Sequence, residues 1–311
     1  MRLGGHKVKT LLLSLAVLAM IGCSNEEADT PQDDYEKLTD NEESSNQESI
    51  DERPNESEQT DLDKAESEEE TVPDYEALKE AIVNPFETAT PSVWGENIVG
   101  VVTEIDTNDR VVALTFDACD GTPDSYDEEL IEFLIKEHIP ATLFINAQWI
   151  EENRDIFTEL SENPLFEIAN HGYSHKPLSV TGESAYGIMG TENAEEVFDE
   201  IFQNQELIKE ITGQYPSYFR SGTAYYDDVA VEIIEALGLK AVNYSVLGDA
   251  GGAFNESQIV SAFDSAQEGS IFLFHMNKPH SDISNGVKEG VQMLREEGFE
   301  FVQLGEYDAH F

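Results

Sequence analysis

Short apolar runs recur along the second half of the chain, and amphipathic segments separate them. Near-continuous apolar runs are typical of strands that are buried on both faces, as in a parallel sheet covered by helices. The pattern predicts strands over residues 111–116, 141–146, 166–170, 217–220, 239–246, 270–275 and 299–304.

The intervening segments have helical spacing. The longest, 194–212, has Asn193 and Glu196 at its N-cap and N3 positions and stops at Gly213. The predicted helices cover residues 127–138, 194–212, 228–237, 256–267 and 286–297. This alternation predicts an α/β fold, specifically a (β/α) barrel, distorted and built of about seven or eight units, with an open doubly wound sheet as the alternative.

The region just before the first core strand also has an extended pattern. In residues 97–116 ("NIVGVVTEIDTNDRVVALTF") two apolar runs flank the polar turn sequence "TNDR". We therefore expect an N-terminal β-hairpin that leads into the barrel.

The chain begins with a targeting signal. Residues 1–23 combine a basic start with a short apolar run that ends in Met-Ile-Gly-Cys, which looks like a bacterial lipobox. We expect a lipoprotein signal peptide with the lipid on Cys23, and an ordinary signal peptide is the alternative. The predicted location is extracytoplasmic, anchored to the outer face of the cell membrane.

Residues 24–73 carry 20 acidic and 3 basic side chains and almost no large apolar ones. Such a segment cannot offset its chain entropy by burial, so we expect an acidic, disordered tether. We expect residues 74–311 to form one α/β domain, and we expect that domain to be monomeric.

Charge narrows the possible partners. The formal net charge is −48 for the chain, and the domain keeps an excess of acids. Nucleic acid and anionic lipid both require a basic surface, so neither is an expected partner of the domain.

The predicted strands end in chemically competent side chains. In barrels and open α/β sheets, active sites lie at the carboxyl ends of the strands. Loop tips would normally be a mixture of small and solvated residues, whereas these ends carry Asp117, Asn146, His171, Arg220, Asp249 and His275.

A divalent metal site is the first interpretation. "NHGYSH" places His171 and His175 four residues apart, a spacing that lets two imidazoles hold one ion. A third ligand would come from Asp117 or a neighbouring acid. Structural histidines with no metal are the alternative.

The other strand-end residues suit supporting roles. A carboxylate at Asp117 could accept a proton from water, and Arg220 could keep that carboxylate ionised. His275 could act beside the barrel mouth with Asp249 orienting its ring. The alternative for His275 is a structural core histidine, and the alternative for Arg220 is a structural ion pair.

The thiol Cys119 lies in the same segment as Asp117. A cysteine nucleophile with His171 as its base is a different catalytic class. A carboxylate-rich loop offers nothing obvious to lower the pKa of the thiol, so this hypothesis is disfavoured and Cys119 is expected to be a bystander.

Taken together, the motifs resemble a known family. "TFDACDG", "NHGYSH", "FRSG", "GDAGG" and "GSIFLFHMN" follow in this order at successive strand ends. They look like the motifs of the polysaccharide deacetylases with a NodB-homology domain, carbohydrate esterase family 4. The resemblance covers about residues 110–305 and is nearest to members that read Phe-Asp-Ala-Cys.

The resemblance implies roles for individual residues. Asp117 would be the base, His275 the acid helped by Asp249, and Arg220 would keep Asp117 ionised. His171 and His175 would hold the metal together with an Asp. The family commonly has that Asp directly after the base, where this chain has Ala118.

Two acids could replace the missing ligand. Asp120 would restore the Asp-Gly pair if Ala118 and Cys119 are an insertion, and it is the residue we expect to bind the metal. Asp127 is the alternative, although it also suits the N-cap of the next helix. Ala250 stands where the family usually has Trp, which alters the acyl pocket.

The implied function is removal of acetyl groups from a glycan. The cofactor would be a divalent metal ion, with zinc as the first choice and cobalt or nickel as alternatives. The substrate would be an N-acetylated or O-acetylated polysaccharide such as peptidoglycan or chitooligosaccharide. Because Ala118 replaces a ligand, a non-catalytic metal-dependent glycan-binding protein is the competing hypothesis.

Overall fold

The computed structural model describes residues 75–122 and 124–311. The predicted signal peptide with Cys23 and the predicted tether over residues 24–73 lie outside this part of the chain. Within the described part, no helix combines the length and apolarity needed to cross a membrane.

The described α-helices pack against one face of a central sheet, and the other face packs against strand residues and the C-terminal segment. The longest confirms its predicted bounds, with Asn193 accepting a hydrogen bond from the Glu196 amide and Gly213 ending it in the left-handed conformation. In chain order the α-helices are α1 (Tyr75–Val83), α2 (Glu128–Lys136), α3 (Ala147–Glu152), α4 (Arg154–Glu162), α5 (Ala194–Thr212), α6 (Asp228–Ala236), α7 (Glu256–Phe263) and α8 (Ile283–Glu296).

The strands are mostly short. In chain order they are β1 (Trp94–Gly95), β2 (Val101–Val102), β3 (Val111–Ala118), β4 (Ala141–Ile145), β5 (Phe166–Asn170), β6 (Ser184–Ala185), β7 (Ile188–Met189), β8 (Tyr218–Phe219), β9 (Tyr226–Asp227), β10 (Lys240–Val242), β11 (Val246–Leu247), β12 (Ile271–His275) and β13 (Glu300–Val302).

A curled parallel sheet forms the centre of the domain. Its strands follow the order β11-β12-β3-β4-β5-β8-β10-β2, and β13 pairs with the start of β3. Every residue of β3 is buried, as the continuous apolar run predicts. All pairs within this sheet are parallel, so the carboxyl ends of its strands meet at one edge.

One segment, residues 240–247, brings the two ends of the curl together. Its first part, β10, pairs with β8, and its last part, β11, pairs with β12. The sheet therefore forms a curled half-barrel, which confirms the α/β barrel expectation in its distorted form.

The predicted N-terminal hairpin over residues 97–116 is wrong. Val101 and Val102 pair in parallel with Ala241 and Val242 of β10, rather than with β3. The reason is that β12, β4 and β13 already occupy the hydrogen-bonding edges of β3. The preceding apolar run instead fills the free edge of β10.

Two loops at the carboxyl edge touch through a glycine. Gly222, which follows β8, lies so close to the loop after β5 that a β-carbon on it would be 2.3 Å from the carbonyl carbon of His175. His175 itself has a left-handed φ of 60°. Only glycine permits this approach of two backbones.

We expect Gly222→Ala to lower the free energy of unfolding by about 1–3 kcal/mol, because a rigid backbone must move to admit the methyl group. Denaturant titration would measure the loss. Gly95→Ala is the matched control, since its added β-carbon would meet its nearest neighbour at an ordinary 3.6 Å. Equal stability of the two variants would contradict the close approach.

A buried carboxylate caps α2. Asp127 Oδ1 accepts a hydrogen bond from the Leu130 amide at 3.0 Å. We expect Asp127→Ala to reduce the free energy of unfolding by about 1 kcal/mol, whereas Asp127→Asn retains an accepting oxygen and most of the stability. Thermal unfolding of both variants tests this, and an Asn variant as unstable as the Ala variant would exclude a capping role.

Candidate active site

The strand-end side chains converge on a cleft of about 580 Å³ at the carboxyl edge of the sheet. Asp117, His175 and His275 line it together with Cys119 and Asp120. Asn146 is a structural exception, because its side chain accepts a hydrogen bond from the Trp149 amide and caps α3.

A buried ion pair lies at the base of the cleft. The Nη1 of Arg220 donates to Oδ1 of Asp117 at 2.7 Å, and both side chains are almost fully buried. The guanidinium is fixed by donation to the carbonyl oxygens of Val242 and Asn243 and lies 4.0 Å from the Phe144 ring centroid. The second carboxylate oxygen of Asp117, Oδ2, is thereby left to face His171.

The charge state of Asp117 follows from this pair. Burial opposes ionisation, but the positive charge of Arg220, with smaller contributions from His171 and His275, outweighs it and holds the pKa of Asp117 below its ordinary value. The carboxylate is ionised at neutral pH, as a general base requires.

His171 presents one free ring nitrogen. Its Nδ1 lies 2.9 Å from the Arg220 carbonyl oxygen, which fixes the proton on that nitrogen. Its Nε2 lies 3.6 Å from Oδ2 of Asp117 and finds no hydrogen-bond partner among residues 75–122 and 124–311. A buried nitrogen in this condition is a candidate metal ligand.

His175 stands beside it, with the two ring centroids 5.1 Å apart. Burial lowers the pKa of His171, and burial lowers that of His175 to about 3. Both rings are therefore neutral at physiological pH, which is the form that binds metals.

Glu200, which was not among the predicted site residues, holds the loop that carries the two histidines. Glu200 of α5 is buried and accepts hydrogen bonds from the amides of Ser174 and Lys176. Its burial raises its pKa to about 7. The sequence does contain one indication of this role, because Glu200 lies on the apolar face of the helix that Val197 and Ile201 define.

On the adjacent strand β12, in register with Asp117, His275 pairs with Asp249. The His275 Nδ1 lies 2.9 Å from Oδ1 of Asp249, and its backbone amide donates to Oδ2 at 2.6 Å. Burial opposes a charge on the ring, but the charge of Asp249 and its hydrogen bond together raise the pKa of His275 above its ordinary value. The ring can therefore carry a proton with Nε2 directed away from Asp249.

The expected third metal ligand, Asp120, lines the cleft but is not in the close group of potential ligand atoms around the two histidines. Its carboxylate is 57% exposed and pairs with Nζ of Lys278 at 2.9 Å. Asp127 caps α2. The group of potential ligand atoms that the described residues do bring together, all within 4.8 Å, is Cys119, His171 and His175.

The thiol of Cys119 is poorly suited to nucleophilic catalysis. Burial, with a smaller contribution from Asp120, raises its pKa to about 12, so it stays protonated when no cation is near. This agrees with the expectation that Cys119 is not a nucleophile.

The donor set fits a divalent metal. Two neutral imidazoles, one of them with an unpartnered buried nitrogen, face a sulfur or oxygen donor, and an ionised carboxylate adjoins them. Zinc accepts N, S and O ligands in such sites. Together with the His275 and Asp249 pair, this arrangement offers a metal position, a base and an acid around one cleft.

Comparison with known proteins shows what part of this chain is similar to. Residues 104–242 match the family model described as polysaccharide deacetylase. The chain is 26% identical over 200 residues to a bifunctional xylanase/deacetylase of Pseudobutyrivibrio xylanivorans, covering 64% of this chain and 30% of that protein.

A second relative is the peptidoglycan-N-acetylglucosamine deacetylase PgdA of Listeria monocytogenes. It is 25% identical over 203 residues, which is 64% of this chain and 39% of that protein. The chain thus spans well under half of the length of either curated relative.

Solved structures agree on the fold. A pseudoenzyme of carbohydrate esterase family 4 from Bacillus anthracis superposes with a TM-score of 0.58 at 19% identity, over 71% of this chain and 70% of that chain. The fold alone therefore does not establish activity. The family-model match and the curated relatives show that residues 104–242 of this chain are similar to polysaccharide deacetylases.

Proposed function

We propose that this protein is a metal-dependent hydrolase that removes acetyl groups from a polysaccharide such as peptidoglycan or chitooligosaccharide. The observation that carries the proposal is the ionised, Arg220-bound Asp117 beside the Asp249-bound His275, on adjacent strands in one cleft. A carboxylate base and an imidazolium acid that line the same cleft suit amide hydrolysis. We also place the chain with family members that read Phe-Asp-Ala-Cys.

His171 and His175 would hold the metal, with zinc the first choice and cobalt or nickel as alternatives. Bound there, the metal supplies Lewis acidity to the acetyl carbonyl and lowers the pKa of water. The Arg220 carbonyl keeps His171 in the tautomer that offers Nε2.

The protein's own residues carry the proton transfers. Oδ2 of Asp117 accepts the proton of the attacking water, while Arg220 holds Oδ1 and fixes the carboxylate plane. As the carbon–nitrogen bond breaks, Nε2 of His275 gives its proton to the departing amine. Asp249 keeps the ring oriented and stabilises its protonated form.

We propose that the predicted targeting signal directs this domain outside the cell. Attached through a lipid on Cys23, with residues 24–73 as a long acidic tether, the domain would reach glycans in or near the wall. We propose that it acts there as a monomer and binds no nucleic acid.

A second candidate function is metal-dependent glycan binding without catalysis. The observation in its favour is Ala118, which stands where the resemblance implies the metal-binding carboxylate. Stoichiometric metal together with no acetate release from any acetylated glycan would select this alternative.

Two variants separate the base from the metal ligands. We expect Asp117→Asn to keep its metal and to lose about 10²–10⁴-fold in acetate release from N-acetylglucosamine oligomers, because the base is gone. His175→Ala should lose both metal and turnover. Metal analysis and an acetate assay measure these effects, and stoichiometric metal in His175→Ala would show that the site is misassigned.

If His275 is the general acid, kcat/KM must depend on pH. His275 must be protonated to act, so kcat/KM should fall as pH rises through its pKa, which Asp249 holds above the ordinary value. Asp249→Asn removes that negative charge, lowers the pKa and should move the descending limb to lower pH. Asp264→Asn, at the exposed end of α7, is the control. An unmoved limb in Asp249→Asn would exclude His275 as the acid.

A further inference from the structure

We infer that Cys119 is the third protein ligand of the metal, as a thiolate, and that Asp120 lies outside the coordination sphere. The centre would then be a Cys-His-His site. This inference rests on the metal dependence in the proposed function, but its test does not use acetate release.

The ligand atoms are already close to binding distances. The sulfur of Cys119 and one ring nitrogen each of His171 and His175 all lie within 4.8 Å of one another. A tetrahedral zinc ion with bonds of about 2.0–2.3 Å separates its ligands by roughly 3.5 Å. Small side-chain rotations are enough to close the difference.

A second, independent observation points to a ligand at this position. His171 is 1% exposed, and its Nε2 has no hydrogen-bond partner in the described part of the chain. Leaving a buried polar nitrogen unpaired costs about 1–3 kcal/mol. A cation held between this nitrogen and the Cys119 sulfur would satisfy it.

Cys119 and Asp120 both line the cleft, but they differ in burial and in partner. Cys119 is 6% exposed. Asp120 has a left-handed φ of 78°, is more exposed and pairs with Lys278. Moving the Asp120 carboxylate to the histidines would break that ion pair, whereas the thiol needs no such change.

A nearby amide can support the bound sulfur. The Asn277 side-chain nitrogen donates to the Cys119 carbonyl oxygen and lies 3.5 Å from its sulfur. Donors to a coordinating atom fix its direction and tune its basicity. A coordinating thiol is deprotonated by the metal itself, so the site would carry the same formal charge as one with a carboxylate.

The test is X-ray absorption on the full chain loaded with zinc. We expect one sulfur at about 2.3 Å and lighter atoms at about 2.0–2.1 Å. Because Cys23 is the other cysteine in the chain, Cys119→Ser must remove the sulfur shell and weaken zinc binding by about tenfold or more. Zinc content, measured by metal analysis, supplies a second readout.

Two further variants complete the design. Cys119→Asp should again bind zinc, now with an oxygen ligand, which separates loss of a ligand from loss of the fold. Asp120→Asn is the matched neighbour and should keep both the zinc and the sulfur shell. Circular dichroism of each variant checks that it is folded.

The outcomes are distinguishable. A zinc site without sulfur, or one that disappears in Asp120→Asn and persists in Cys119→Ser, overturns this inference while acetate release still supports the proposed function. A zinc–sulfur site in a protein that releases no acetate supports this inference and overturns the proposed function. Failure to bind zinc in the wild-type chain overturns the inference as well.

Discussion

The ion pair between Asp117 and Arg220 is the interaction on which the site depends. A fully buried guanidinium is tolerable only when its charge is matched and its N–H groups are satisfied. Here Asp117 and two backbone carbonyls meet that requirement. The same contacts keep the carboxylate ionised, and the Arg220 carbonyl orients His171. One buried charge thus fixes both the proposed base, Asp117, and one proposed metal ligand, His171.

Much of this arrangement could be predicted from the sequence. Apolar runs located most core strands, and the parallel order then placed Asp117, His171, Arg220, Asp249 and His275 at one edge. The prediction of an N-terminal hairpin was wrong, because the local pattern of apolar and polar residues does not reveal which edges of β3 are already paired. Likewise, α3 and α4 fill a stretch whose short, partly polar turns carry only a weak periodic signal.

The metal site shows a different limit. Residue type and spacing identify the two histidines, and the resemblance identifies the expected carboxylate. Cys119 rather than Asp120 lies beside the two histidines. This choice depends on the local backbone, including the left-handed φ at Asp120, and on the ion pair that Lys278 offers to Asp120. Neither is visible in a hydrophobic pattern. The role of Glu200 could not be predicted for a related reason, since it arises from hydrogen bonds with backbone amides on a loop that is distant in sequence.

Residues 240–247, which join the two ends of the curled sheet, have a consequence for motion. The carbonyls that hold Arg220 belong to Val242 and Asn243, within this same segment. A displacement of this segment would remove two backbone acceptors that hold the guanidinium of Arg220. The order of the candidate site therefore depends on the same segment that joins the two ends of the sheet.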